Sequence, residues 1–198
     1  MDMRQIVLAS LNAAKIHEFQ HLFAEHNITI IPQDTLGVAE VDEPFTTFVE
    51  NALTKARHAS RVTGLPALAD DSGLCVDALQ GAPGVLSARY AGEPKSDSRN
   101  NSQLLQALST TTHRRAYYYA VLVLVRSADD PQPIITDGHC AGEILTAPRG
   151  EGGFGYDPLF WIPALARSVA ELSSAEKMAI SHRGQALRRL LKKLGEYE

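Results

Sequence analysis

The chain alternates short apolar runs with segments whose apolar residues recur every three or four positions. Ile6-Val7-Leu8-Ala9 reads as a strand, and after Ser10-Leu11-Asn12 the residues Ile16, Phe19, Leu22 and Phe23 share a helical face. Asn12 suits the N-cap of that helix, which would leave the N–H groups of Ala13, Ala14 and Lys15 at its positive end. Ile28 to Ile31 reads as a second strand. Thr47 and Glu50 have the spacing of a capping box, opening a helix with Phe48, Ala52, Ala56 and Ala59 on one face and Asn51, Lys55 and His58 on another. Leu65 to Ala69 is expected to be a strand that ends at Asp70-Asp71-Ser72-Gly73, with Leu74 to Ala78 alternating as the next strand. The acidic pair then falls in a turn between two strands. A helix over 98–108 precedes the longest apolar stretch, a strand from Arg115 to Val125, and Asp129-Asp130-Pro131 connects it to Ile134-Ile135-Thr136. A glycine-rich segment, Gly150 to Pro158, leads into apolar Leu159 to Ile162. Ser173 and Glu176 cap a short helix, and Leu187, Leu190, Leu191 and Leu194 mark a final one. Strands and helices alternate without repeats or long linkers, which predicts an α/β fold with a long-stranded mixed sheet flanked by helices.

Composition adds exclusions. With 198 residues the chain suits one domain or two small ones, and a chain of this size buries about 70% of its unfolded surface. Hydrophobic residues at 44% and charged residues at 21% are ordinary globular values and argue against disorder or a coiled coil. The net charge is −4, and the one basic stretch, Arg188-Arg189 with Lys192-Lys193, is interleaved with leucines as a wet helix face would be, so nucleic acid is not an expected partner. The start, Met1 to Gln5, leads into an apolar run too short for a signal peptide, and Tyr117 to Val125 falls far below the ~20 residues of a membrane span. Cys75 and Cys140 lie far apart with no CxxC, which supports neither zinc nor a disulfide framework and suits a reducing compartment. A cytoplasmic protein without membrane contact is expected.

Four polar patches stand where elements end. Ser10, Asn12 and Lys15 follow a strand and open a helix, which suits a phosphate or simple capping with a solvated lysine. Asp70 and Asp71, with Asp42 and Glu43 upstream, could hold Mg²⁺ beside substrate phosphates, or merely shape a turn. Gly152 to Asp157 could bring backbone and the Phe154 ring against a base, or form a tight loop with Phe154 in the core. Glu176-Lys177 through Ser181-His182-Arg183-Gly184 places Lys177 and Ser181 on one helical face and ends in two donors, or is a solvated helix terminus. Together they form the parts needed to bind a nucleoside triphosphate.

The order of these blocks is recognisable. Ser10-Leu11-Asn12-Ala13-Ala14-Lys15, Thr47 to Ala52 with Lys55-Ala56, Ala69 to Leu74, Gly81-Ala82-Pro83-Gly84, Ser87-Ala88-Arg89-Tyr90, Gly153 to Pro158 and Ser181 to Gly184 resemble the inosine triphosphatase family, also called the non-standard purine NTP pyrophosphatases, in its bacterial HAM1-like branch. The resemblance spans nearly the whole chain, with Leu11 standing where the family usually has Gly. It implies a single two-lobed domain over residues 1–198, with a central substrate cleft in a long twisted mixed sheet, and a homodimer. It implies that Ser10, Leu11, Asn12, Ala13, Ala14 and Lys15 bind the triphosphate, that Asp71 is general base and Mg²⁺ ligand, and that Glu43 helps hold the metal. Ser72, Phe154, Gly155, Tyr156, Asp157, Lys177, His182 and Arg183 then contact the nucleotide, with Lys15, Lys55 and Lys177 offsetting triphosphate charge.

The implied reaction is hydrolysis of ITP, dITP or XTP to the monophosphate and pyrophosphate, a house-cleaning of the nucleotide pool. Hypoxanthine and xanthine present an acceptor at O6 and a donor at N1, which would suit His182 or Arg183 on one side and Asp157 on the other. Adenine reverses the pattern, and a buried donor left facing its amino group costs ~1–3 kcal/mol. Two alternatives differ from this: a pyrophosphatase for other modified nucleotides, as in Maf-like proteins, which lack blocks like Phe154 to Asp157 and Ser181 to Gly184, and a non-catalytic nucleotide sensor, which has no need of Asp71 and Glu43.

Overall fold

The computed structural model describes residues 4–195, so Met1, Asp2 and Met3 of the chain start weighed above lie outside the described residues. The strands are β1 (Gln5–Leu8), β2 (Thr29–Pro32), β3 (Ala67–Val76), β4 (Arg115–Val125), β5 (Ile134–Ile144), β6 (Phe160–Ile162) and β7 (Arg167–Ser168). The α-helices are α1 (Ala13–Ala24), α2 (Phe48–Thr63), α3 (Asp97–Ala107), α4 (Ser174–Ile180) and α5 (His182–Gly195). The strands form one seven-stranded sheet in the order β2-β1-β3-β4-β5-β6-β7. It is mixed: β1 runs parallel to β2 and β3, whereas β6 is antiparallel to both β5 and β7. Among the described residues no helix is long and apolar enough to cross a membrane.

The described residues divide into two compact units, the first comprising those up to Asp71, Val121–Thr136 and those from Arg189 to Gly195. Its helices follow from local signals. Asn12 caps α1, whose Phe19 and Phe23 are fully buried with ring centroids 6.3 Å apart. Thr47 caps α2, and Gly64 ends it in the left-handed conformation that glycine adopts without strain. Ala52, Ala56 and Ala59 are fully buried, and such small side chains let α2 pack closely on β1.

The second unit comprises Ser72–Ala120 and Asp137–Arg188. Its core gathers Leu74, Val76, Leu104, Leu108, Tyr156 and Phe160, all buried. Gly138 is required here by space: a side chain on it would overlap the His182 carbonyl at the start of α5.

Two local expectations are corrected. Asp70-Asp71-Ser72-Gly73 is no turn, because β3 runs unbroken from Ala67 to Val76. The turn-like composition is overridden by burial along nearly the whole strand, and Leu68 keeps its register with Leu8. Ser181 does not share a helical face with Lys177: its backbone is extended (ψ 155°), it ends α4, and α5 restarts at His182.

Candidate functional site

In the first unit, Ser10 Oγ accepts the Asn12 N–H at 3.2 Å, and Asn12 Oδ1 accepts the Lys15 N–H at 3.1 Å. Leu11, Asn12, Ala13 and Ala14 are exposed, so the positive end of a 12-residue helix is open to solvent. Lys15 is not a solvated lysine: its ammonium lies 3.0 Å from Asp70 Oδ1, on a carboxylate with no exposed side-chain surface.

Because Asp70 and Asp71 are consecutive in a strand, they turn to opposite sides of it. Lys15 from α1 meets the first and Lys55 from α2 meets the second. Lys55 Nζ lies 3.2 Å from Asp71 Oδ1, 2.9 Å from the Asp70 carbonyl and 3.3 Å from Glu43 Oε1. Burial pulls the Lys55 pKa down, but Asp71, Glu43 and Asp70 together outweigh it and hold it above the ordinary lysine value. The opposite happens to Asp71. Burial pushes its carboxyl up to about 6, with Glu43 and Asp70 adding repulsion that Lys55 and Lys15 only partly offset.

Asp71 Oδ2 is buried and accepts no hydrogen bond. An acceptor-only oxygen held this way costs free energy unless a ligand completes it, and a hard cation is the complement of such an oxygen. Among the described residues no three His, Cys, Asp or Glu side chains gather to hold a metal alone. One buried and one half-exposed carboxylate therefore fit Mg²⁺, which keeps waters and takes substrate phosphates as further ligands.

The second unit holds the remaining predicted residues. Arg183 is 3% exposed and donates to Ser72 Oγ at 3.2 Å. Gly153 and Gly155 both have positive φ, and at Gly153 a side chain would also overlap the Asp157 carboxylate. Between them Phe154 is only half-buried, whereas Tyr156 enters the core and donates to the Ser87 carbonyl at 2.8 Å. Asp157 is 3% exposed and already accepts three donors: the Phe154 N–H at 3.0 Å, Lys177 Nζ at 2.6 Å and Tyr118 Oη at 3.3 Å. The Lys177 ammonium also sits 4.2 Å from the centroid of the Phe154 ring. His182 is buried with its ring stacked on Tyr118, 4.9 Å between centroids. Tyr118, Cys140, Asp157, Lys177, Ser181 and His182 line a small pocket in this unit.

This constellation has known relatives. The sequence model described as the Ham1 family matches residues 6–193. The chain belongs to the Ham1 family. A protein of Chromobacterium violaceum named dITP/XTP pyrophosphatase is 63% identical over 190 residues, 96% of each chain. One of the same name from Burkholderia pseudomallei is 62% identical, covering 97% of this chain and 94% of that one. The solved HAM1 protein of Coxiella burnetii superposes with a TM-score of 0.93 at 49% identity, over 97% of this chain and 98% of that one. The Staphylococcus aureus Ham1 protein does so with a TM-score of 0.89 at 40% identity, over 98% and 100%.

For this Ham1 protein, sequence reasoning missed Tyr118, whose phenol and ring face organise Asp157 and His182. A signal existed: Ala116, Tyr118 and Ala120 share one face of β4, and a tyrosine on a core face needs a partner for its hydroxyl. Burial and the neighbouring Asp157 carboxylate keep that phenol neutral far above the ordinary tyrosine range.

Proposed function

We propose that this Ham1-family chain hydrolyses non-standard purine nucleoside triphosphates, ITP, dITP and XTP, to the monophosphate and pyrophosphate. Relatives about 60% identical over nearly their whole length carry the name dITP/XTP pyrophosphatase, which supports a hydrolase acting on nucleotide anhydrides. The observation that carries the mechanism is the buried, unpartnered Asp71 oxygen beside Lys55 and Glu43.

Asp71 and Glu43 would hold Mg²⁺, which supplies charge neutralisation on the triphosphate when bound. The open turn from Ser10 to Lys15 offers helix N–H groups and a cation to phosphate oxygens. Asp71 orients a water toward the α-phosphorus and takes its proton. The bond from that phosphorus to the bridging oxygen breaks, and pyrophosphate leaves with the electron pair. Lys15 and Lys55 offset the charge that develops on the leaving group. In the second unit, Phe154 offers a ring for base stacking, and Ser72, Gly155, Tyr156, Lys177, His182 and Arg183 serve nucleotide contacts. Asp157 acts there by holding Lys177, Tyr118 and Phe154 in place.

We take the two units as lobes of one catalytic domain, because β3, β4, β5 and α5 each pass from one to the other along the chain. A cytoplasmic homodimer that binds no nucleic acid belongs to the same reading. The free, buried Cys75 and Cys140 suit a reducing compartment, and light scattering measures the assembly.

The test is incubation with Mg²⁺ and ITP, XTP, dATP or dGTP, with pyrophosphate and monophosphate both measured. The expected outcome is equimolar release from ITP and XTP and far slower release from dATP. Release of orthophosphate, or equal use of dATP and dITP, refutes the proposal.

A further inference from the structure

Phe154 stands on a loop whose shape is imposed from another helix. Its side-chain direction is set by the two peptide planes that flank its Cα. Asp157 holds the plane before it, accepting the Phe154 N–H at 3.0 Å. The plane after it carries the Gly155 N–H, which donates to Asp97 Oδ2 at 2.7 Å, and the Gly155 carbonyl accepts from Asn101 Nδ2 at 2.9 Å. Asp97 and Asn101 are four residues apart on α3, hence neighbours on one face of that helix, one presenting an acceptor and the other a donor. They take both backbone polar groups of a single glycine.

Two features indicate that these contacts serve the loop rather than global stability. Asp97 is exposed, so water could satisfy both it and the Gly155 N–H. Asn101 Oδ1 is buried without a hydrogen bond, so the amide acts through its donor end and leaves its acceptor end unmatched. Gly155 itself has φ +63° with open space around a would-be Cβ, so what is specific there is the backbone conformation.

We propose that Asp97 and Asn101 are positioning residues that clamp Gly155 and thereby aim the Phe154 ring at the purine base, setting affinity for the nucleotide without touching it. The inference rests on the nucleotide reading above. Its test compares KM, kcat and thermal stability of Asp97→Ala, Asp97→Asn and Asn101→Asp, alone and on a Phe154→Ala background, with ITP as substrate. Asp97→Ala should raise KM about fivefold to twentyfold with kcat within about twofold and Tm nearly unchanged. Asp97→Asn keeps an acceptor and should restore KM, whereas Asn101→Asp turns an acceptor toward a carbonyl and should raise it. On the Phe154→Ala background Asp97→Ala should add nothing, because the ring it aims is gone. Unchanged KM in Asp97→Ala and Asn101→Asp, or effects that multiply with Phe154→Ala, overturn the clamp. Absence of pyrophosphate release by the wild-type protein overturns the underlying reading, and the clamp's function with it.

Discussion

The two units meet charge in opposite ways. Around Asp71 in the first, a buried carboxylate keeps one oxygen without a donor and has its pKa pushed up to about 6. Around Asp157 in the second, an equally buried carboxylate accepts from a lysine, a tyrosine and a backbone amide. The first arrangement is electrostatically unfinished, as the proposed Mg²⁺ and triphosphate site requires. The second is finished and holds an aromatic ring and its neighbours in one geometry. Under the proposed function the contrast has a reason: a site for a highly charged triphosphate would keep its complement open, whereas a site for a neutral base would benefit from preorganisation.

The largest expected effect comes from the unfinished side. Asp71→Asn should lower pyrophosphate release about 10²–10⁴-fold in a coupled assay. The same substitution should raise the stability of the metal-free protein. A folded pKa raised from 3.8 to about 6 means that the stabilisation from proton binding is complete below pH 4 and is lost as pH rises through 6. At pH 7.5 the neutral Asn should therefore gain on the order of 1–3 kcal/mol, read as a higher Tm. A lower Tm breaks the contrast.

On the finished side, Asp157→Ala should be destabilising by roughly 3 kcal/mol in denaturant unfolding, because it strands the Tyr118 hydroxyl, the Phe154 N–H and the Lys177 ammonium. Phe154→Ala removes the proposed stacking face and one Lys177 cation–π contact, so KM for ITP should rise by the equivalent of ~1–3 kcal/mol while stability falls by no more than about 1 kcal/mol.

Asp130 sharpens the comparison inside the first unit at the smallest scale. It accepts two bonds from the Arg126 guanidinium and others from the Arg126 and Gln132 N–H groups, which hold its carboxyl well below the ordinary range. Its stabilisation is present above the unfolded aspartate pKa and is lost as pH falls toward the folded one. Asp130→Asn should therefore lower Tm at pH 7 and flatten the acid limb of the Tm–pH curve, whereas Asp71→Asn, which removes a stabilisation gained as pH falls from about 6 towards 4, should steepen it over that range.

Much of the fold was legible because its signals are local. Asn12, Thr47 and Ser173 cap the helices expected of them, and the strand from Arg115 to Val125 has the bounds its apolar run suggested. Asp70 to Gly73 was misjudged because turn propensity is also local, while the pairing that keeps β3 extended comes from distant strands. The candidate site divides the same way. The blocks that resemble the inosine triphosphatases pointed to Asp71, Lys55 and Phe154, but Tyr118 lies 39 residues from Asp157 in sequence and Asn101 54 from Gly155.

The sequence by itself determined where α1, α2 and α4 start, that Arg115 to Val125 is a strand and which residues carry charge, because capping, periodicity and composition act within a few residues. Only the tertiary structure decided that Lys15 takes Asp70 while Lys55 takes Asp71, that one Asp71 oxygen is left without a donor, and that α3 grips Gly155. Hydrogen bonding and desolvation depend on which groups meet once the chain has folded, and that meeting is set by sheet order and helix packing rather than by any local stretch of residues.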